Sequence, residues 1–206
     1  DRGSIFEDEI SFFLSQEVRS ISSYSSILNT IASGATKISS ITPKAGINST
    51  GTASNFVNTL QNMGIVQKEY NFGEKKNSKK TLYKISDPLF RFHYTFIEPH
   101  RSRKVIMEPR TFLQNIVMPY LDEFVAQGFE IICQQFLANQ YRDTIQEIGR
   151  YWYNDRIQKA DVEIDAVMKT EDELAVFECK WTNKKIDRTI VEGLASKAAN
   201  LKPDIA

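Results

Sequence analysis

The segment 162-VEIDAVMKTEDELAVFECKW-181 decides how the back half of this chain is read. Two apolar-rich runs, 162–168 and 174–181, flank a polar turn at 170–173. That is the pattern of two strands joined by a hairpin. Side chains alternate across a strand, so Glu163 and Asp165 share one face and Val162, Ile164 and Ala166 the other. In the second run Glu178 and Lys180 share a face with Val176, while Phe177, Cys179 and Trp181 point the opposite way. Pairing the runs turns three carboxylates and one ammonium towards one end of a sheet.

Working outward, Phe129, Ile132, Phe136 and Leu137 form an apolar helical face upstream. Glu130 lies on that helix, just after Gly128, and becomes a further site acid if the helix packs across the sheet. Residues 109–137 read as helix interrupted near Pro119 and Gly128. Residues 151–153 read as an aromatic strand or turn, and 190–201 as a final helix. Strands mixed with helices over 120–206 predict an α/β unit, α+β overall, with a mixed sheet flanked by helices.

The cluster suits metal-assisted phosphodiester cleavage. Carboxylate oxygens are the preferred ligands of Mg²⁺, which keeps several waters and also contacts phosphate. Asp165 and Glu178, with Glu163 beside them, are therefore the candidate ligands for Mg²⁺ or Mn²⁺. A nearby ammonium orients water and stabilises developing negative charge, which assigns Lys180. The competing reading is a surface hairpin with a cross-strand salt bridge, because acidic and basic residues alternate on many strands. No Ser–His–Asp or Cys–His arrangement is apparent, and Cys179 reads as packing.

The front half follows a different pattern. Tyr24, Ile27, Leu28 and Ile31 recur at helical spacing before Gly34. A shorter helix is expected over 37–45, and a third, capped by Ser49 or Thr50, carries Ala53, Phe56, Val57 and Leu60. Strands at 65–70 and 81–86 follow, separated by a Gly- and Lys-containing loop at 71–80. Three short helices and a hairpin is the order of a winged helix-turn-helix domain. Its third helix offers Asn55, Asn58, Gln61 and Asn62 to bases or phosphates, yet carries no Arg or Lys. The loop offers Lys75, Lys76, Lys79 and Lys80 to phosphates. The alternatives are a solvated loop and a winged helix used for protein contacts. The expected organisation is an N-terminal linker at 1–15, a winged helix at 16–90, a helical connector at 91–119 and the α/β unit at 120–206.

Charge divides along the same lines. The formal net charge is zero, from 26 basic and 26 acidic residues. Residues 16–90 hold nine basic and four acidic residues, and residues 120–206 hold 11 and 16. A basic front suits phosphate and an acidic back suits metal ions, although ordinary solvated surfaces also look like this. Hydrophobic residues at 41% and charged residues at 25% exclude a disordered chain and a disulfide scaffold. No run reaches the ~18 apolar residues of a membrane helix. Cys133 and Cys179 lack a CxxC spacing and fit a reducing cytoplasm. The acidic start, DRGSIFEDEI, is unlike a signal peptide, and without an initiator Met it suggests a fragment preceded by more chain.

Glu130 in GFE, Asp165 in EIDAV, and Glu178 with Lys180 in FECKW are similar to the motif series of the PD-(D/E)XK nuclease superfamily. The sequence resembles one subgroup more closely: the C-terminal region of archaeal-type AAA+ ATPases, a winged helix followed by a nuclease-like domain. YKISDPLFRFHYTFIEP at 83–99 and IGRYW at 148–152 look like signatures of that region, and the resemblance covers roughly 15–200. Trp often stands in that family where His93 stands here, a packing variation. The resemblance implies a preceding ATPase domain, which alone would bind ATP. The loop GxxxxGK[ST] is absent from this chain. It also implies a cytoplasmic protein that acts on DNA with Mg²⁺ or Mn²⁺. Nuclease-like folds also serve as inactive binding modules, so a DNA- or protein-binding regulator of the ATPase is the second expectation, and a self-associating element the third.

Overall fold

A computed structural model describes residues 5–17, 20–75, 81–155 and 159–201. The chain forms two compact units, Asp1–Glu69 with Thr81–Pro119, and Tyr70–Lys80 with Tyr120–Ala206.

The first unit begins with four helices: α1 (Ile5–Glu17), α2 (Ile21–Ala32), α3 (Ile38–Lys44) and α4 (Thr50–Asn62). A two-stranded sheet follows, β1 (Val66–Tyr70) with β2 (Thr81–Ile85). Where a linker was expected, α1 buries Ile10 and Leu14 in the core. Those residues stand four apart and so lie on one helix face. The stripe of α4 is Ala53, Val57 and Leu60, and Ser49 caps it by accepting the Thr52 N–H at 3.1 Å. Ile27, Leu28, Ile41, Val57 and Leu60 are wholly buried. Each such side chain contributes roughly 1.5–3 kcal/mol on leaving water. Gly34 and Gly64 follow α2 and α4 with φ of 93° and 74°, a backbone that favours glycine.

The stretch expected as a connector belongs to this unit and uses one construction twice. Helices α5 (Pro88–Phe92) and α7 (Pro109–Phe112) flank α6 (Arg101–Ile106). Asp87 caps α5 by accepting the Phe90 N–H, and Glu108 caps α7 by accepting the N–H groups of Arg110 and Thr111. A proline opens each helix, where its missing N–H costs nothing. Each helix then widens into a π turn, His93–Ile97 or Leu113–Val117, and tightens into a 3₁₀ turn holding Pro99 or Pro119. A proline inside a helix presses on the carbonyl four residues back, and the widened turn relieves that clash.

The second unit contains α8 (Leu121–Gln140), β3 (Ile145–Asp155), β4 (Ala160–Thr170), β5 (Leu174–Phe177) and α9 (Arg188–Ala198). Its sheet has the order β3-β4-β5. Both pairings are antiparallel, where a mixed sheet was expected. Successive strands joined by short turns return antiparallel. Helix α8 passes through Gly128 unbroken, since one glycine costs only about 1 kcal/mol relative to alanine. Its expected apolar face is not all core, because Ile132 and Phe136 are 61% and 64% exposed. Residues 151–153, read as a strand or a turn, lie inside the 11-residue β3.

The loop after β1 departs furthest from expectation. Asn71 and Phe72 are buried, and Phe72 joins Tyr151, Ile164 and Val167 in the core of the second unit. The Phe72 N–H donates to the Arg150 carbonyl at 2.8 Å. Asn71 Oδ1 accepts the Trp152 N–H at 2.7 Å, and its Nδ2 donates to the Trp152 carbonyl at 2.9 Å. The side chain thus reproduces the donor–acceptor pair of a neighbouring strand along β3. Asn71→Ala removes both bonds and leaves a backbone N–H and C=O without these partners. We expect a loss of about 2–3 kcal/mol of stability, measured by urea unfolding.

Candidate active site

Strand β4 bulges at the candidate centre. Gly149 pairs with Val167 and Tyr151 with Ile164, so one residue of β3, Arg150, faces two of β4, Asp165 and Ala166. The bulge interrupts the expected alternation: Ile164 and Val167, three apart, pack in one cluster. The Asp165 backbone carbonyl accepts from Gln134 Nε2 of α8 at 2.7 Å, and its carboxylate Oδ2 accepts the Cys179 N–H at 2.7 Å. That capture explains why β5 ends at Phe177, short of the expected 181: the Cys179 N–H goes to a side chain.

Glu178 follows directly after β5. Lys180 Nζ donates to its Oε1, and Lys197 Nζ of α9 donates to its Oε2 at 2.8 Å. Burial pushes the Glu178 carboxyl up, but the two ammonium hydrogen bonds outweigh it and hold it below its ordinary value. The same pairing raises Lys180, with burial opposing. Asp165 goes the other way. Burial raises its carboxyl, the Cys179 N–H opposes, and the charge of Glu178 adds to the rise. Glu130 adds its own negative field at Lys180 and Cys179. Glu130, Asp165, Glu178 and Lys180 thus share one electrostatic neighbourhood.

Glu163 is engaged elsewhere, in an ion pair with Arg150 across β3 and β4. This corrects its expected place beside Asp165, because the guanidinium on the neighbouring strand supplies a partner of opposite charge. Lys197 was not anticipated. Its only sequence signal is its position three after Leu194, which places both on one side of α9. Trp181 is 50% exposed. Its ring packs against Phe129 at 5.5 Å and its Nε1 donates to Asp122 Oδ1 at 3.3 Å.

In the first unit Asn55, Asn58 and Asn62 are exposed on α4 and Gln61 is half-buried. Lys75 is exposed. Lys76, Lys79 and Lys80 lie outside the described residues.

The raised carboxyl of Asp165 predicts a stability effect with a definite sign. A carboxyl protonated more readily in the folded than in the unfolded chain makes its ionised form unfavourable to folding at neutral pH. Asp165→Asn removes that charge and keeps an oxygen for the Cys179 N–H. We expect a higher Tm at pH 7 in a thermal melt, with the gain shrinking as the pH falls into the carboxylate range.

Residues 93–191 match the model of a family described as archaeal and bacterial proteins of unknown function. This match begins at His93 in the π turn after α5 and runs through the bulge, Glu178 and Lys180 into α9. No curated protein and no solved structure matches the chain.

Proposed function

We propose that the second unit hydrolyses phosphodiester bonds with the help of a divalent cation, as the nuclease-like domain of a region that follows an AAA+ ATPase domain. The observation that carries this reading is the Asp165 carboxylate at the β4 bulge, held by the N–H of Cys179, the residue between Glu178 and its partner Lys180. The motif resemblance supports it independently. In this reading α2–α4, β1 and β2 form a winged helix that holds DNA through Asn55 and Asn58. ATP is bound only by the preceding domain, and the protein works in the cytoplasm.

The donor set fits Mg²⁺ or Mn²⁺ as a visitor with substrate. Among the described residues no group of three or more His, Cys, Asp or Glu could hold a metal ion. Mg²⁺ commonly takes only one or two protein carboxylates and completes its shell with water and phosphate. Asp165 and Glu178 are those two. Once bound, the ion would polarise the phosphoryl oxygen and acidify a bound water. The chain's own contributions are distinct. The Cys179 N–H orients the Asp165 carboxylate. Lys180 and Lys197 keep Glu178 ionised and bring two positive charges to a place that must receive phosphate.

The test is incubation of plasmid, branched and single-stranded DNA with the protein and Mg²⁺ or Mn²⁺, with and without the ATPase domain. Cleavage that Asp165→Ala abolishes supports this function. The engagement of both Glu178 oxygens by lysines favours a second reading, a non-cleaving module that docks DNA or a protein and regulates the ATPase. Salt-dependent DNA binding without cleavage by the ATPase-containing protein would establish that one instead. Strong self-association without nucleic-acid binding would point to an oligomerisation element.

A further inference from the structure

Helix α2 carries a second stripe that neither the core nor the proposed function uses. Ser22, Ser25, Ser26 and Asn29 recur at the same spacing as the buried Tyr24, Ile27, Leu28 and Ile31. The two stripes are offset by two residues, roughly 200°, so they lie on opposite sides of the helix. The polar stripe faces the π turn His93–Ile97, where Tyr94 Oη lies 2.9 Å from Ser25 Oγ. The stripe and the turn line a cleft of about 580 Å³, which is the size of a small-molecule site. Widened turns of this kind recur at functional sites.

The cleft has more acceptors than donors. Asn29 Oδ1 is buried with no hydrogen-bond partner among the described residues. Buried polar atoms are nearly always paired, so this one marks a missing donor. Ser26 gives its proton to the Ala45 carbonyl at 2.9 Å, which leaves its oxygen to accept. Glu98 adds a carboxylate, with His93 Nε2 at 3.5 Å and Arg101 Nε at 3.7 Å from its Oε2. Both distances exceed those of ordinary charge-assisted hydrogen bonds. Burial lowers His93 despite the Glu98 charge beside it, so at pH 7 the imidazole does not neutralise the carboxylate. The Arg101 side chain is 72% exposed and brings one positive charge to the mouth.

We infer that this cleft in the first unit binds a free α-amino acid with a polar side chain. The ammonium group brings three donors to a cleft whose acceptors include Glu98 and the orphaned Asn29 oxygen. The carboxylate, one carbon away, meets Arg101. Glu98 and Arg101 thus present opposite charges side by side, as the ligand does. Their own pairing is long and largely exposed, so it is weak and opens readily. The hydroxyls of Ser22 and Ser25 line room for the polar side chain. A diamine would bring a second cation towards Arg101, and a polyol would leave both charges unmatched. The inference concerns the first unit alone and stands whether or not the second unit cleaves DNA.

The test is ligand-observed NMR on the whole chain, with the standard L-amino acids, putrescine and glycerol as probes. We expect saturable binding of at least one polar L-amino acid, stronger than that of putrescine or glycerol. Arg101→Gln, at an exposed position that leaves the fold intact, should weaken it at least about tenfold, and so should Glu98→Gln. Asn29→Leu should also weaken it, and should melt no lower than the wild type because it removes an orphaned polar atom. No saturable binding of any amino acid would overturn the inference. So would putrescine or glycerol binding as tightly as the best amino acid, or binding undiminished in both Arg101→Gln and Glu98→Gln.

Discussion

Phe72→Ala should lower the stability of the second unit by about 3–5 kcal/mol, the usual cost of truncating a buried phenylalanine. Position 72 reads in sequence as part of a Gly- and Lys-containing loop, where a substitution is ordinarily felt by less than about 0.5 kcal/mol. The structure places its ring 2% exposed against Tyr151, Ile164 and Val167. Removing it opens a cavity beneath the paired strands and loosens the loop whose Asn71 holds Trp152. Both tryptophans, Trp152 and Trp181, belong to the second unit, so intrinsic fluorescence during urea unfolding follows this unit directly. Lys75→Ala, four residues from the start of β-strand docking at Asn71, serves as the control and should leave the midpoint unchanged. A loss below about 1 kcal/mol for Phe72→Ala would show that the ring is not part of this core.

Asp165→Ala should reduce divalent-cation-dependent DNA cleavage to below roughly a hundredth of the wild-type rate. Loss of a mere supporting partner around a metal site already costs about 10–100-fold, so loss of a proposed ligand should cost no less. The variant should remain folded, because the carboxylate it removes is held in the chain against burial and the charge of Glu178. In Asp165→Asn, which keeps an acceptor for the Cys179 N–H, activity and stability should move in opposite directions, as expected where a site is kept for its chemistry. Retention of more than about a tenth of the activity would remove Asp165 from the metal-binding set.

The parts of the fold that were legible in sequence are those written in local periodicity. The stripe Tyr24, Ile27, Leu28 and Ile31 announced α2, and Ala53, Val57 and Leu60 announced α4. The two strands either side of the 170–173 turn were legible as apolar-rich runs, although the second ends at Phe177 and not at 181. The details that shape the candidate site were not. Asn71 meets Trp152 across 81 residues, and nothing local to either marks the other. The bulge at Asp165 and Ala166 depends on register with β3, which the hydrophobic pattern of β4 alone does not fix. That bulge frees the Asp165 carboxylate to take the Cys179 N–H, ending β5 early. Lys197 comes from a helix beyond the hairpin, so its meeting with Glu178 is a tertiary event. Glu163 illustrates the converse: strand alternation placed it on the side of Asp165, but a cross-strand guanidinium holds its carboxylate.

The measurement closest to the central claim is calorimetric titration of the chain with Mn²⁺, repeated with Mg²⁺ as competitor. If Asp165 and Glu178 form a cation site, one Mn²⁺ should bind per chain, Mg²⁺ should displace it, and Asp165→Asn or Glu178→Gln should each weaken it at least about tenfold. Mn²⁺ binding of undiminished strength in both variants, or no saturable binding even with a phosphodiester present, would contradict the account.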